Sequence, residues 1–136
     1  MYLYFVLFII FFFSTHKQIY AAGHFTGSSK TMPNILAVFS FLNILLILAF
    51  VIHFSITVSF WIVLLFILCA IIAIFILDGA LAKIVLKHLV KEGWDTTNEL
   101  FIYTYNAECD IASTLIAEVG ILVNIAIAVF YILSVL

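Results

Sequence analysis

Asn34–Phe54, NILAVFSFLNILLILAFVIHF, and Thr57–Leu77, TVSFWIVLLFILCAIIAIFIL, decide the fold. Each run is about twenty residues long and carries no formal charge, the length and chemistry of a membrane-crossing helix. At a rise of about 1.5 Å per residue, either one crosses a hydrocarbon core of about 30 Å. Only a tight turn near Ser55 separates them, so they form an antiparallel hairpin of two spans, with His53 and Ser55 at the interface. Pro33 stands just ahead of the first, where a missing backbone N–H costs a helix nothing.

Composition extends this reading to the whole chain. Of 136 residues, 68% are hydrophobic and 9% charged, whereas a soluble domain carries about 25% charged residues. The expected fold is therefore all-α: an integral membrane helical bundle forming a single membrane domain over 1–136. A net charge of −2 leaves no electrostatic footprint for nucleic acid. Cys69 and Cys109 share no CxxC spacing and read as buried thiols.

Before the hairpin, Met1–Phe13 is apolar and closes on Ser14-Thr15-His16-Lys17-Gln18. As a helix it spans about 18 Å, short for a full crossing. Two readings stay open. One is a short retained hydrophobic helix over 1–15. The other is the core of a cleaved signal peptide, with small residues at Tyr20-Ala21-Ala22-Gly23, although no Lys or Arg precedes the run. Residues 16–33 read as a polar loop punctuated by Gly23, Gly27, Ser28 and Ser29. Beyond the hairpin, Asp78-Gly79 ends the third apolar segment. Ala80–Lys91 is amphipathic, with Lys83, Lys87 and Lys91 spaced four apart; such a helix continues the span into the headgroups or lies along the surface. Glu92–Glu99 is a polar turn with Trp94 suited to the interface. Residues 78–105 thus form the second polar segment and 111–136 the last span. The expectation is three full spans, 34–54, 57–77 and 111–136, plus the short N-terminal helix.

Lysine placement orients the chain. The hairpin turn has no Lys or Arg, while the flanking segments hold Lys17 and Lys30, then Lys83, Lys87 and Lys91. The positive-inside bias puts both segments in the cytoplasm and the turn and C-terminus on the far side. The lysine face attracts anionic lipid or is simply solvated. Within the last span, at 100° per residue, Asn106, Asp110, Ser113, Thr114 and Asn124 share one helical arc, with Ala117 inside it, Gly120 beside it and Glu118 on its shoulder. Small and polar residues on one stripe suit helix–helix contact in lipid. The alternative is an ion or proton path through Asp110 and Glu118, as in an accessory subunit of a transporter or channel. Glu108 points about 160° from Asp110 at that helical spacing, so the two are no acid/base pair. No HExxH or GxSxG is present; no catalytic residue, cofactor or metal is expected.

The order of several short motifs adds a resemblance. Phe12-Phe13-Ser14-Thr15-His16-Lys17-Gln18-Ile19-Tyr20 leaves an apolar run through a polar, basic exit to a tyrosine. His24-Phe25 follows four residues later, then Lys30, then Pro33 with Ser40 seven residues on. Lys83 and Lys87 close the third apolar stretch, and Phe101-Ile102-Tyr103-Thr104-Tyr105-Asn106-Ala107-Glu108-Cys109-Asp110 is an aromatic segment with regular polar spacing. In this order the chain resembles a divergent, shortened member of the UNC-fifty (uncoordinated-fifty) family of Golgi and endoplasmic-reticulum membrane proteins. It lacks the family's Trp-Ala-Arg-Asp-Asp before the proline, and Asn106, Glu108 and Asp110 stand where the family has Asp, His and Asn. The resemblance implies a retained first helix. It also implies a non-enzymatic role in early secretory vesicular traffic, as a trafficking factor or an adaptor for Arf guanine-nucleotide exchange factors.

The residues expected to carry such a role are Lys17, Tyr20, His24 and Lys30 in the first segment and Lys83 and Lys87 in the second, facing lipid or an acidic partner. Tyr103 and Tyr105 are expected to fix helix depth. Asn106, Asp110, Ser113, Thr114 and Asn124 are expected to tie the last helix to its neighbours. Membrane lipids are the first partners, with homo- or hetero-oligomers open.

Overall fold

The computed structural model describes residues 2–27 and 29–136; Met1 of the first apolar run and Ser28 of the first loop lie outside the described residues. Among those described, the protein is all helical: α1 Tyr2–Gly23, α2 Met32–Thr57, α3 Phe60–Lys91 and α4 Glu99–Val135. All four are long and apolar enough to cross a membrane. The all-α membrane bundle expected from the two uncharged runs is present, and the protein is an integral membrane protein whose outer faces are built for lipid.

The helix ends differ from the expected boundaries, and each difference has a local cause. α1 does not stop near residue 15 but runs to Gly23, through the stretch read as loop. Its polar residues have partners inside the bundle, and Thr15 Oγ1 donates to Phe11 O at 2.8 Å, feeding the hydroxyl back into its own helix. The first loop is thus only His24–Thr31. Asp78-Gly79 ends the apolar run but not the helix, one of the two outcomes expected for Ala80–Lys91. The helix continues through Ala80–Lys91 as one 32-residue rod, and the backbone turns only at Gly93, the one described residue with positive φ (90°). α4 starts at Glu99 rather than near Ile111, because Asn98 caps it: its side-chain oxygen accepts from Leu100 N at 3.0 Å. In the loop between, Asp95 accepts from Thr97 N at 3.0 Å and Thr97 Oγ1 at 2.8 Å, which holds its carboxyl below the usual carboxylate range.

α1, the least apolar of the four helices by mean hydropathy, occupies the centre and packs against all three others. In the half of the bundle near the α2–α3 turn, aromatic rings fill the core. Phe8 packs on Phe50 (centroids 5.4 Å apart), Phe12 and Phe66, and Phe54 joins Phe50 at 5.0 Å. Aromatic pairs of this kind contribute about 0.5–1.5 kcal/mol each beyond area burial. A second contact, Ala21 with Leu36 and Ala117, closes the other half. Past the end of α1 only α3 and α4 remain, zipped by Val85, Leu89 and Phe101 with Trp94, Tyr105 and Cys109. This helical pair projects about 20 Å beyond Asp78 along α3.

Alternating crossings place the α1–α2 and α3–α4 loops at one end of the bundle and the α2–α3 turn at the other. Lys30, Lys83, Lys87 and Lys91 are exposed at the first end; residues 31–77 carry no formal charge. Single cysteines at Lys30 and Lys87 are expected to react with a membrane-impermeant maleimide from the same side, and a cysteine at Thr57 from the opposite side. Reaction of Lys30→Cys and Lys87→Cys from opposite sides would contradict the bundle.

Candidate functional site

A chain in lipid must satisfy its polar side chains internally, and here that demand falls on α1. Lys17 is 5% exposed, and its Nζ lies 2.6 Å from Asp78 Oδ1 on α3. The same Nζ donates to Ser113 Oγ on α4 at 3.4 Å. Rings of Phe13 and Tyr20 lie 5.7 and 5.8 Å from the ammonium. His16 Nε2 reaches the other carboxylate oxygen, Asp78 Oδ2, at 3.4 Å. One turn on, the Tyr20 hydroxyl donates to Asp110 Oδ1 at 2.5 Å. Lysine suits the position because its long stem lets a buried α1 backbone send a charge outward to a carboxylate. Asp78, counted from Phe60 at the far end of α3, lies about 27 Å along the helix, at the rim of a hydrocarbon core of about 30 Å. Its side chain is 38% exposed, so the pair is enclosed on the lysine side and open to the outside of the bundle on the other.

Beneath this charged layer the polar contacts continue between α1, α2 and α4. Asn43 Nδ2 donates to Gln18 Oε1 at 2.8 Å, and both residues are buried. Ser40 Oγ donates to Leu36 O at 2.6 Å within α2. Gly120 lets α4 approach α1 closely: a Cβ there would lie 3.2 Å from Ser14 Cβ and 3.4 Å from Gln18 Nε2. Asn124, one turn further, is 2% exposed, and neither its Nδ2 nor its Oδ1 has a hydrogen-bond partner among the described residues; nor does Gln18 Nε2. Beyond Asn124 the seam ends on the aromatic core around Phe8 and Phe50.

The expected site residues fall into two groups. Ser113, Thr114 and Asn124 are buried on the α4 face toward α1, with Ala117 and Gly120. Ser113 takes Lys17, and Thr114 accepts from Thr26 Oγ1 of the first loop at 3.3 Å. Asp110 joins them at the edge through Tyr20. Asn106 is exposed and does not tie α4 to a neighbour; past α1, α3 covers the Phe101–Tyr105–Cys109 face of α4, and Asn106 lies off that face. Lys17 and Tyr20 are corrected as well: both sit on helix α1, not in a lipid- or partner-facing loop, and Lys17 faces the bundle interior. His24 and Lys30 are in the loop and exposed, His24 stacked on Tyr20 with ring centroids 4.3 Å apart. Lys83 and Lys87 are exposed on the projecting part of α3. Tyr103 is exposed, and Tyr105 stacks on Phe101 with centroids 6.3 Å apart.

Reading by sequence missed Asp78 as the partner of Lys17 and Gln18 as the partner of Asn43. A carboxylate directly after an eighteen-residue apolar stretch, and amides within or next to apolar runs, are signals for such pairs, since polar groups at these positions seek each other. Among the described residues no group of three or more His, Cys, Asp or Glu is placed to hold a metal ion. No family model, curated protein or solved structure matches the chain. The arrangement is suited to clamping four helices at one level and holding a carboxylate–ammonium–tyrosine cluster at the membrane rim.

Replacing Lys17 by Met is expected to lower stability by about 1–3 kcal/mol in a detergent-unfolding titration, a breakage cost reduced by the partial exposure of Asp78. Lys17→Met combined with Asp78→Leu should recover most of the loss; additive losses would show that the pair is not coupled. Asn43→Leu strands Gln18 Oε1 and should cost about 1–3 kcal/mol, whereas Asn124→Leu removes an unpartnered amide and should be neutral or stabilising. The same titration, run on both variants, separates the two amides.

Proposed function

We propose that the protein is a non-enzymatic, multi-pass membrane component of early secretory traffic at the Golgi or endoplasmic reticulum. In this reading it holds an Arf guanine-nucleotide exchange factor at its lysine-bearing, cytoplasmic end. The resemblance of the Phe12–Tyr20, Pro33–Ser40, Lys83–Lys87 and Phe101–Asp110 motifs to the UNC-fifty family supplies the pathway and the partner. One observation in the fold supports the adaptor form of the reading: the α3–α4 pair extends beyond the level where α1 ends, with Lys83, Lys87 and Lys91 exposed along it. A platform of this kind needs rigid attachment to the membrane, and the continuous α3 helix provides it.

The rival reading, an accessory subunit with an ion path through Asp110 and Glu118, draws on the Tyr20–Asp110 hydrogen bond and its neighbour pair Lys17–Asp78. Two features count against it. Glu118 makes no hydrogen bond or ion pair among the described residues, and the polar seam stops at the aromatic core instead of crossing the bundle.

Proximity labelling from residue 30 in intact cells is expected to enrich Arf exchange factors over a control membrane protein of the same compartment. Lys83→Glu with Lys87→Glu should reduce that enrichment while leaving membrane insertion unchanged. Labelling equal to the control, or enrichment indifferent to the lysine reversal, would remove the adaptor reading. Reconstituted ion flux lost in Asp110→Asn would favour the rival.

A further inference from the structure

Where α3 and α4 project past the end of α1, one side of α3 is covered and the other is not. Val85 and Leu89 are buried against Phe101 of α4. At 100° per residue Lys83, Lys87 and Lys91 point away from that contact, in an exposed row about 12 Å long. Leu86 and Val90, 40% and 52% exposed, stand one turn apart along the edge of the row. A helix face turned to water is ordinarily polar throughout; this one sets aliphatic side chains beside its charges.

The three ammonium groups are not spent inside the protein. None forms an ion pair among the described residues, although carboxylates lie near them in the chain. Glu92 takes His88 at 3.1 Å, and Asp95 accepts from Thr97. Glu99 lies in the first turn of α4, where the helix dipole favours a carboxylate.

Height along α3 decides between partners. Lys83, Lys87 and Lys91 lie about 7.5, 13.5 and 19.5 Å past Asp78 on one unbroken helix. The headgroup layer outside the hydrocarbon core is about 5–7 Å deep. Anionic lipid of the protein's own membrane therefore reaches Lys83 and leaves Lys87 and Lys91 standing clear. A second copy set face to face would bring lysine against lysine. Cations about 6 Å apart along an upright helix, edged by aliphatic side chains, match another helix with Asp or Glu every three or four residues and an apolar row beside them.

We infer that this face docks an acidic amphipathic helix of a partner protein. Its carboxylates lie on Lys83, Lys87 and Lys91, and its apolar row lies on Leu86 and Val90. The inference rests on the adaptor reading for the place of the surface and adds the chemistry of the contact.

The test titrates the full chain, in phosphatidylcholine nanodiscs, with a fluorescent helical peptide of about 18 residues. The peptide carries Glu at every fourth position and Leu beside each; a control has the same composition in scrambled order. The ordered peptide is expected to bind at least about tenfold more tightly than the scrambled one. Reversing all three lysines (Lys83→Glu, Lys87→Glu, Lys91→Glu) should weaken it about tenfold, the product of three exposed pairs of about twofold each. Leu86→Ser with Val90→Ser should weaken it with every charge in place. Ala107→Glu, exposed on the side of α4 away from α3, should leave it unchanged. Binding should persist in nanodiscs that contain phosphatidylserine.

Equal binding of the two peptides to the unaltered protein, or no loss on lysine reversal, overturns the inference. Loss of binding in phosphatidylserine discs assigns the lysines to lipid and overturns it too. Crosslinking of two chains through Lys87→Cys in the discs assigns the face to a second copy, with the same consequence. Peptide binding without labelling of an Arf exchange factor from residue 30 removes the named partner alone. Labelling that persists without peptide binding removes the acidic helix alone.

Discussion

Lys17 and Asp78 meet at the rim of the membrane, and the relative height of α1 and α3 depends on that meeting. An ammonium on α1 and a carboxylate on α3, each alone in hydrocarbon, would cost several kcal/mol. Paired at 2.6 Å, with Asp78 open to the headgroup layer, they fix α1 and α3 at one relative height. Both helices run in the same direction through the bundle, so a helical turn of sliding, about 5.4 Å, would separate the charges and leave one of them in lipid. The pair contributes specificity of register more than net stability. The Gln18–Asn43 bond does the same between α1 and α2, and the Lys17–Ser113 and Tyr20–Asp110 bonds between α1 and α4.

This explains the inverted design of α1. In a soluble bundle the centre is the most apolar place; here the central helix is the least apolar of the four, with Ser14, Thr15, Lys17 and Gln18 all buried. Lipid already supplies an apolar surrounding, so apolar burial alone gives the helices little reason to associate. Packing and hydrogen bonds must do that work, and they are divided along the bundle axis. Rings around Phe8 hold the half near the α2–α3 turn. Polar bonds and the close approach at Gly120 hold the half near the lysines.

The same division decides what could be read from residues alone. Asn34–Phe54 and Thr57–Leu77 announce themselves because an uncharged run of that length has one stable form in a bilayer. The α4 stripe of Ser113, Thr114, Ala117 and Asn124 is equally legible, since helical periodicity places those residues on one face and polar side chains there point inward. Ser14–Gln18 is the opposite case. A histidine, a lysine and a glutamine after Ser14-Thr15 read as the end of a short helix and the start of a loop at residue 16. Their partners, Asp78, Asn43 and Ser113, lie 25 to 96 residues away, and no local pattern connects them. A lysine in such a stretch reads as facing headgroups or an acidic partner, because few lysines are buried. A lysine within reach of a membrane-edge carboxylate is the exception.

The unpartnered amide of Asn124 places one further constraint on how the protein works. Evolution tolerates such a group where it specifies an arrangement or where a second state satisfies it. In the described arrangement α4 lies close to α1 at Gly120 and Ser14, the Gln18 oxygen accepts from Asn43, and Gln18 Nε2 and the Asn124 amide are each without a bond. A small shift of α4 along α1, toward the lysine-bearing end, would bring Asn124 nearer to Gln18 while pulling Ser113 away from Lys17. The two halves of the seam therefore compete for the position of α4. Ser113 and Asp110 hold α4 to α1 at the lysine-bearing end of this seam, and Asn124 is the buried amide left over at its other end.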